Sequence, residues 1–158
     1  MKILISACLL GHSVRYDGGH LLNEHPALKR WQAEQRLIPV CPESLGGLPT
    51  PRPPAERIDE QVITISGENV TQAFEAGAAK AVAAAEAGGA VMAILTEHSP
   101  SCGKVEIYDG GFSGQLIAGQ GVTTEALEQV GIPVFSHLEL DAAEGYFQEI
   151  LKENSKIL

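Results

Sequence analysis

Three cysteines, Cys8, Cys41 and Cys102, each stand just beyond a short strand-like run. Residues 2–7 (KILISA) lead to Cys8, and residues 37–40 (LIPV) lead to Cys41. Residues 91–96 (VMAILT) run into the loop Glu97-His98-Ser99-Pro100-Ser101, which Cys102 closes. The runs are apolar and rich in branched residues, the pattern of strands buried on both faces of a parallel sheet. Such sheets bind ligands beyond the carboxyl ends of their strands. Neighbouring strands lie about 4.8 Å apart. If the three runs share one parallel sheet, their thiols can converge on one point.

The segments between them fit that sheet. Helix signals separate the strand-like runs, which predicts an α/β fold. We expect residues 1–158 to form one three-layer, Rossmann-like domain with a mainly parallel sheet of about four to five strands. A first helix is expected from Pro26 to about Gln35, with Asn23 as its cap and Leu28 and Trp31 on its apolar face. Residues 62–65 read as a short strand, in an edge hairpin or a lid. An alanine-rich helix is expected over residues 71–87, stopped by Gly88-Gly89. Residues 123–130 form a short helix, 132–136 a fourth parallel strand, and 141–152 a terminal amphipathic helix. The glycine-rich stretch from Gly110 to Gly121 lacks G-x-G-x-x-G and GK[ST], so dinucleotide and P-loop readings fail. It reads as a mobile or sharply turned loop, with a cover as a further option.

Charge and hydropathy narrow the function classes. The net charge of −9 opposes strong nucleic-acid binding or a broad anionic-lipid footprint. No apolar run approaches the roughly 20 residues of a membrane span. Residues 1–7 carry one lysine and no small-residue cleavage site, so a signal peptide is not expected and the expected location is cytoplasmic. In a reducing compartment three cysteines do not suggest a disulfide framework. Any one alone reads as a small buried hydrophobe. Three at equivalent strand ends, near Gly, Pro and Ser, read as a site.

Other side chains stand near the cysteines in the chain. Arg15 and Asp17 lie in a turn shortly after Cys8, and are either a surface pair or part of a pocket wall. Cys41 opens a loop through Pro54 with five prolines and two glycines, too long for a simple connection. Glu43, two residues beyond Cys41, is a candidate general acid or base. Arg52 is a candidate grip for an anionic or carbonyl group, or a loop cap. Ser101, next to Cys102, is a candidate proton relay, and His98 a candidate fourth metal ligand. Structural zinc commonly shows paired close ligands and takes four of them, which this spacing does not supply. Three thiolates on a four-iron cluster leave one iron without a protein ligand, open to a soft donor. The residues alone leave an open-site cluster and a three-thiolate zinc site both standing.

Several fragments together resemble the thiouracil desulfidase family. They are Ser6-Ala7-Cys8-Leu9-Leu10-Gly11, Val14-Arg15-Tyr16-Asp17-Gly18, Cys41-Pro42-Glu43, Gly46-Gly47-Leu48-Pro49-Thr50-Pro51-Arg52, Ser99-Pro100-Ser101-Cys102-Gly103 and Ile107-Tyr108-Asp109-Gly110. The resemblance runs in order over nearly the whole chain. One position departs from it: a lysine commonly stands in the family where this chain has Thr96. The resemblance implies a [4Fe–4S] cluster held by Cys8, Cys41 and Cys102, with the fourth iron open to substrate sulfur. It implies non-redox, hydrolytic desulfuration of a thiolated pyrimidine to uracil and sulfide, with Glu43 and Ser101 as acid–base and relay residues. Arg15, Asp17 and Arg52 are the expected substrate-binding residues, and cluster-assembly machinery is the expected maturation partner. A three-thiolate zinc hydrolase and an iron–sulfur sensor are the alternatives.

Overall fold

The central sheet starts with β1 (Lys2–Ser6), whose last four residues are buried. In the computed structural model, which describes residues 1–157, β1 pairs in parallel with β2 (Leu37–Val40) on one side and with the fifth strand of the chain, Ala90–Leu95, on the other. The final strand, Val134–Ser136, pairs in parallel beyond it. Two antiparallel hairpins stand apart from this sheet, β3 (Ala55–Ile58) with β4 (Gln61–Thr64), and β6 (Glu106–Tyr108) with β7 (Leu116–Ala118). The Ala90–Leu95 strand is β5 and the last is β8, so the sheet order is β2-β1-β5-β8. The α/β architecture and the four parallel strands are as expected.

Strand alternation builds two cores. Ile3 and Ile5 of β1, with Met92 and Ile94 of β5, face a cluster containing Leu28, Trp31, Ala143 and Phe147. Those four side chains belong to α1 (Pro26–Ala33) and to α5 (Leu140–Ile157). The Trp31 and Phe147 rings meet edge to face with centroids 5.5 Å apart. Leu4, Ala93 and Leu95 point the other way, towards Ala85 and Leu127. These come from α3 (Thr71–Gly88) and α4 (Val122–Gln129). The chain moves from β1 to β2 in one direction and from β2 past β1 to β5 in the other. Right-handed crossovers therefore put α1 and α3 on opposite faces. The reversal falls between β1 and β5, where such sheets open a crevice at their carboxyl ends.

One local reading changes and two are narrowed. His25, not Asn23, caps α1: its Nδ1 accepts the Ala27 N–H at 3.0 Å, while Asn23 Oδ1 accepts the His25 N–H at 2.9 Å. Residues 110–121 are a sharply turned loop. Most of the stretch closes the β6–β7 hairpin, held by Gly110 and Phe112 N–H donations to Glu56 Oε1, both at 3.0 Å. The short strand expected at 62–65 is present as the β4 arm of the β3–β4 hairpin. Among the described residues no helix is long and apolar enough to cross a membrane.

Part of the loop after Cys41 is a short helix, α2 (Pro42–Leu45), pressed against α3. Two glycines allow it. A Cβ on Gly77 would stand 1.9 Å from the Pro42 carbonyl oxygen, and one on Gly46 would stand 2.0 Å from that of Ala73. Backbone meets backbone at this crossing, and α2 carries Glu43 from it. Gly77→Ala gains roughly 1 kcal/mol of helix propensity. It is nonetheless expected to destabilise by about 1–3 kcal/mol, since no side-chain rotation relieves a backbone clash. Gly145→Ala in α5, where a Cβ meets nothing within 4 Å, is expected to stabilise by roughly 0.5–1 kcal/mol. Urea unfolding midpoints that move in the same direction would contradict this account.

Candidate functional site

At the β1–β5 reversal lies a cavity of about 300 Å³ whose wall includes Cys8, Cys41 and Cys102. Each cysteine is placed by a different device. Cys8 sits in the 3-10 turn Ala7–Leu10 that follows β1 and ends at left-handed Gly11. Its Sγ lies 3.1 Å from Thr96 Oγ1. Cys41 immediately precedes α2, and Ser44 Oγ donates to its Sγ at 3.3 Å. Cys102 is fixed through its backbone: its N–H donates to Ser99 Oγ at 3.1 Å and its carbonyl accepts from Thr124 Oγ1 at 3.0 Å. Ser6 Oγ donates to Cys102 Sγ at 3.6 Å and accepts the Thr96 N–H at 3.0 Å, tying the ends of β1 and β5 together.

All three thiols are free. Burial raises the Cys8 pKa, against the hydrogen bond from Thr96 and the charge of Arg15. Burial pushes Cys102 up to about 12, with Ser6 opposing and Glu43 adding to the rise. These two thiols therefore stay protonated at neutral pH until a cation compensates for their burial. The three line one cavity, but among the described residues no three His, Cys, Asp or Glu side chains gather closely enough to hold a single metal ion. His98 shares the cavity, its ring 6.1 Å from that of Tyr108.

Glu43 lines the cavity and is held from behind by Arg52, whose Nε donates to Glu43 Oε1 at 3.2 Å. The Arg52 side chain is only 4% exposed. Its remaining nitrogens donate to Pro49 O, Thr50 Oγ1 and Val14 O at 2.9–3.2 Å. Arg52 thus spends most of its guanidinium on the loop and on Glu43. Arg15 lines the cavity, whereas Asp17 turns away and accepts the Gly19 N–H at 2.8 Å. Thr96 lines the cavity beside Cys8.

Ser101 is not brought into the cavity wall. Its hydroxyl is 2.7 Å from Thr123 Oγ1 on the α4 side, and the residue is 1% exposed. A Cβ on Gly121 would stand 2.3 Å from the Ser101 carbonyl carbon, so α4 presses on this part of the loop. The serine that this loop does place in the wall is Ser99, whose Oγ accepts the N–H groups of Ser101 and Cys102 at 3.0 and 3.1 Å.

Two further residues of the wall were not singled out from the sequence. Glu97 is 7% exposed, and its Oε1 accepts the N–H groups of His98, Lys104, Val105 and Glu106 at 2.8–3.3 Å. Burial opposes its ionisation, but the Val105, Lys104 and His98 amides and the Ser136 hydroxyl win, and its pKa falls below the ordinary 4.5. The Glu97 N–H donates to Nδ1 of His137 at 3.0 Å. A Glu followed by a His gives no sequence pattern for either bond.

Comparison with known proteins agrees with this geometry. Residues 3–139 match the sequence profile of the 2-thiouracil desulfurase family. An uncharacterised protein of Bacillus subtilis (strain 168), YbbK, is 43% identical over 149 residues, covering 88% of this chain and 97% of its own. A solved structure of TudS, a [4Fe–4S]-dependent thiouracil desulfidase, superposes with a TM-score of 0.91 at 48% identity, over 93% of this chain and 97% of that one. The chain belongs to the 2-thiouracil desulfurase family.

Proposed function

We propose that this chain is a desulfidase that removes sulfur from thiouracil or a related thiolated nucleobase, with a [4Fe–4S] cluster held by Cys8, Cys41 and Cys102. The observation that carries this reading is the delivery of three free thiols, from the ends of three adjacent strands, to one cavity that also contains Glu43. When bound, a cluster with three protein thiolates supplies an iron free of protein ligands, a Lewis acid suited to a soft sulfur donor. The overall change replaces a C=S bond by C=O, takes up water and releases hydrogen sulfide, with no net oxidation or reduction.

The protein's own part is protonic and steric. Arg52 holds the Glu43 carboxylate at the cavity edge, ready to take a proton from water or return one to the ring nitrogen. The relay expected of Ser101 passes to Ser99, whose hydroxyl stands in the wall while that of Ser101 is bonded to Thr123. Val14, Leu21 and Val40 make the wall partly apolar, which suits a flat heterocycle and limits stray water. Arg15 is a substrate contact in this reading. Arg52 and Asp17 shape the loops around the site. In this reading the protein works in the cytoplasm and receives its cluster from cluster-assembly machinery.

Sulfide release from 2-thiouracil and 4-thiouracil by anaerobically reconstituted protein tests this reading, with iron and acid-labile sulfide measured in parallel. Glu43→Gln is expected to keep the cluster and lose about 10²-fold or more in turnover, the usual contribution of a general acid–base group. A fully active Glu43→Gln enzyme would remove Glu43 from the chemistry. Zinc in place of iron would return the three-thiolate hydrolase.

A further inference from the structure

One polar group in the cavity wall has its hydrogen-bonding role set by the backbone. His137 follows β8, and its own N–H is anchored on Leu95 O at 3.0 Å. The Glu97 N–H donates to its Nδ1. A backbone N–H can only donate, so Nδ1 must present its lone pair. The neutral ring then carries its proton on Nε2. Burial lowers the His137 pKa, the Glu97 carboxylate opposes this, and His98 and Arg15 reinforce it. Among the described residues Nε2 has no partner, and no buried side-chain nitrogen is left unsatisfied, so Nε2 reaches open space. His137 lines the cavity, which is the open space that its ring borders.

A thiouracil ring offers few acceptors. Both ring nitrogens carry protons, so only the sulfur and the single exocyclic oxygen accept. The sulfur is the reacting atom. The oxygen needs a donor that does not also present itself as an acceptor.

We infer that His137 is a specificity-determining residue whose Nε2–H donates to the exocyclic oxygen of the bound thiouracil. This rests on the desulfidase reading of the same cavity. It makes the site prefer a ring with an exocyclic oxygen over the same thione without one. Glu97 serves it through its N–H, which keeps the Nε2 proton in place.

The variant that isolates the role is His137→Asn, because the asparagine Oδ1 can still accept the Glu97 N–H while the donor at the Nε2 position is lost. KM for thiouracil is expected to rise roughly tenfold, the scale of one good hydrogen bond to a buried acceptor, with kcat and iron content near wild type. Pyrimidine-2-thione and pyrimidine-4-thione, which lack the oxygen, should show equal KM in the two proteins. Uracil binding measured by calorimetry on the same preparations should weaken by the same factor as KM. An unchanged KM and uracil affinity would overturn the inference, as would an equal loss on the oxygen-free thiones. Loss of fold or iron in His137→Asn would also overturn it, since His137 would then belong to the scaffold. Wild-type protein that releases no sulfide from either thiouracil would instead overturn the desulfidase reading, a result that the wild-type assay alone reports.

Discussion

Cys102→Ala protein is expected to fold, to bind no iron–sulfur cluster and to release no sulfide from thiouracil. The two halves of this expectation have separate causes. In the cluster-free protein the Cys102 thiol is buried and protonated, its pKa pushed up to about 12. It behaves there as a small apolar group with one weak sulfur contact, the Ser6 hydroxyl at 3.6 Å. Deleting it removes no charge and leaves Ser6 Oγ still accepting from Thr96 N–H. The expected stability cost is about 1 kcal/mol. A cluster held by three thiolates, by contrast, loses one of the anions that hold it and gains no substitute from alanine. Thermal unfolding of the cluster-free proteins should therefore nearly coincide, while iron content falls from about four per chain, the cubane stoichiometry, towards zero. Full iron retention would strike Cys102 from the ligand set. A variant that cannot fold would make the thiol structural instead.

Which parts of this were legible in the sequence follows from what each interaction uses. Buried parallel strands leave continuous apolar runs, so the positions of Cys8, Cys41 and Cys102 beyond strand ends could be read, and with them the cavity. Glu43 was legible because it follows Cys41 by two residues, within one turn of α2. Ser101 was chosen on the same ground, but adjacency to Cys102 places it in the right loop without saying which way the hydroxyl turns, and it turns to Thr123. That is decided by Gly121, whose lack of a side chain lets α4 approach the Ser101 backbone. The glycines after Gly110 signalled a turn correctly, yet gave no sign that Glu56, more than fifty residues earlier, would bind the turn's amides. His25 replaced Asn23 as the cap because a histidine ring can accept at Nδ1, a use that cap preferences rank low. The residues missed outright, Glu97 and His137, act on backbone groups, and backbone groups have no sequence.

Glu97→Ala is the change expected to cost the most stability. Its carboxylate oxygen gathers four backbone donors, from His98 and from 104–106, and so closes the loop that carries Ser99 and Cys102. Each buried donor left unpaired costs roughly 1–3 kcal/mol, less whatever water recovers, so a loss of about 3 kcal/mol or more is expected. Glu97→Gln keeps an oxygen acceptor but not its charge, and charge-assisted bonds are roughly twice as strong as neutral ones, so about half of that loss is expected. The effect has a fixed sign with pH. The native pKa lies below the ordinary 4.5, so the stabilisation is complete above that value and disappears as pH falls through the native one. The gap in unfolding free energy between wild type and Glu97→Gln should be wide at pH 7 and narrow on acidification. A gap independent of pH would show that the glutamate acts by shape alone. With the cluster-free proteins the comparison reports on the loop itself, and with the loaded ones it asks whether Cys102 can hold iron once the four amides are released.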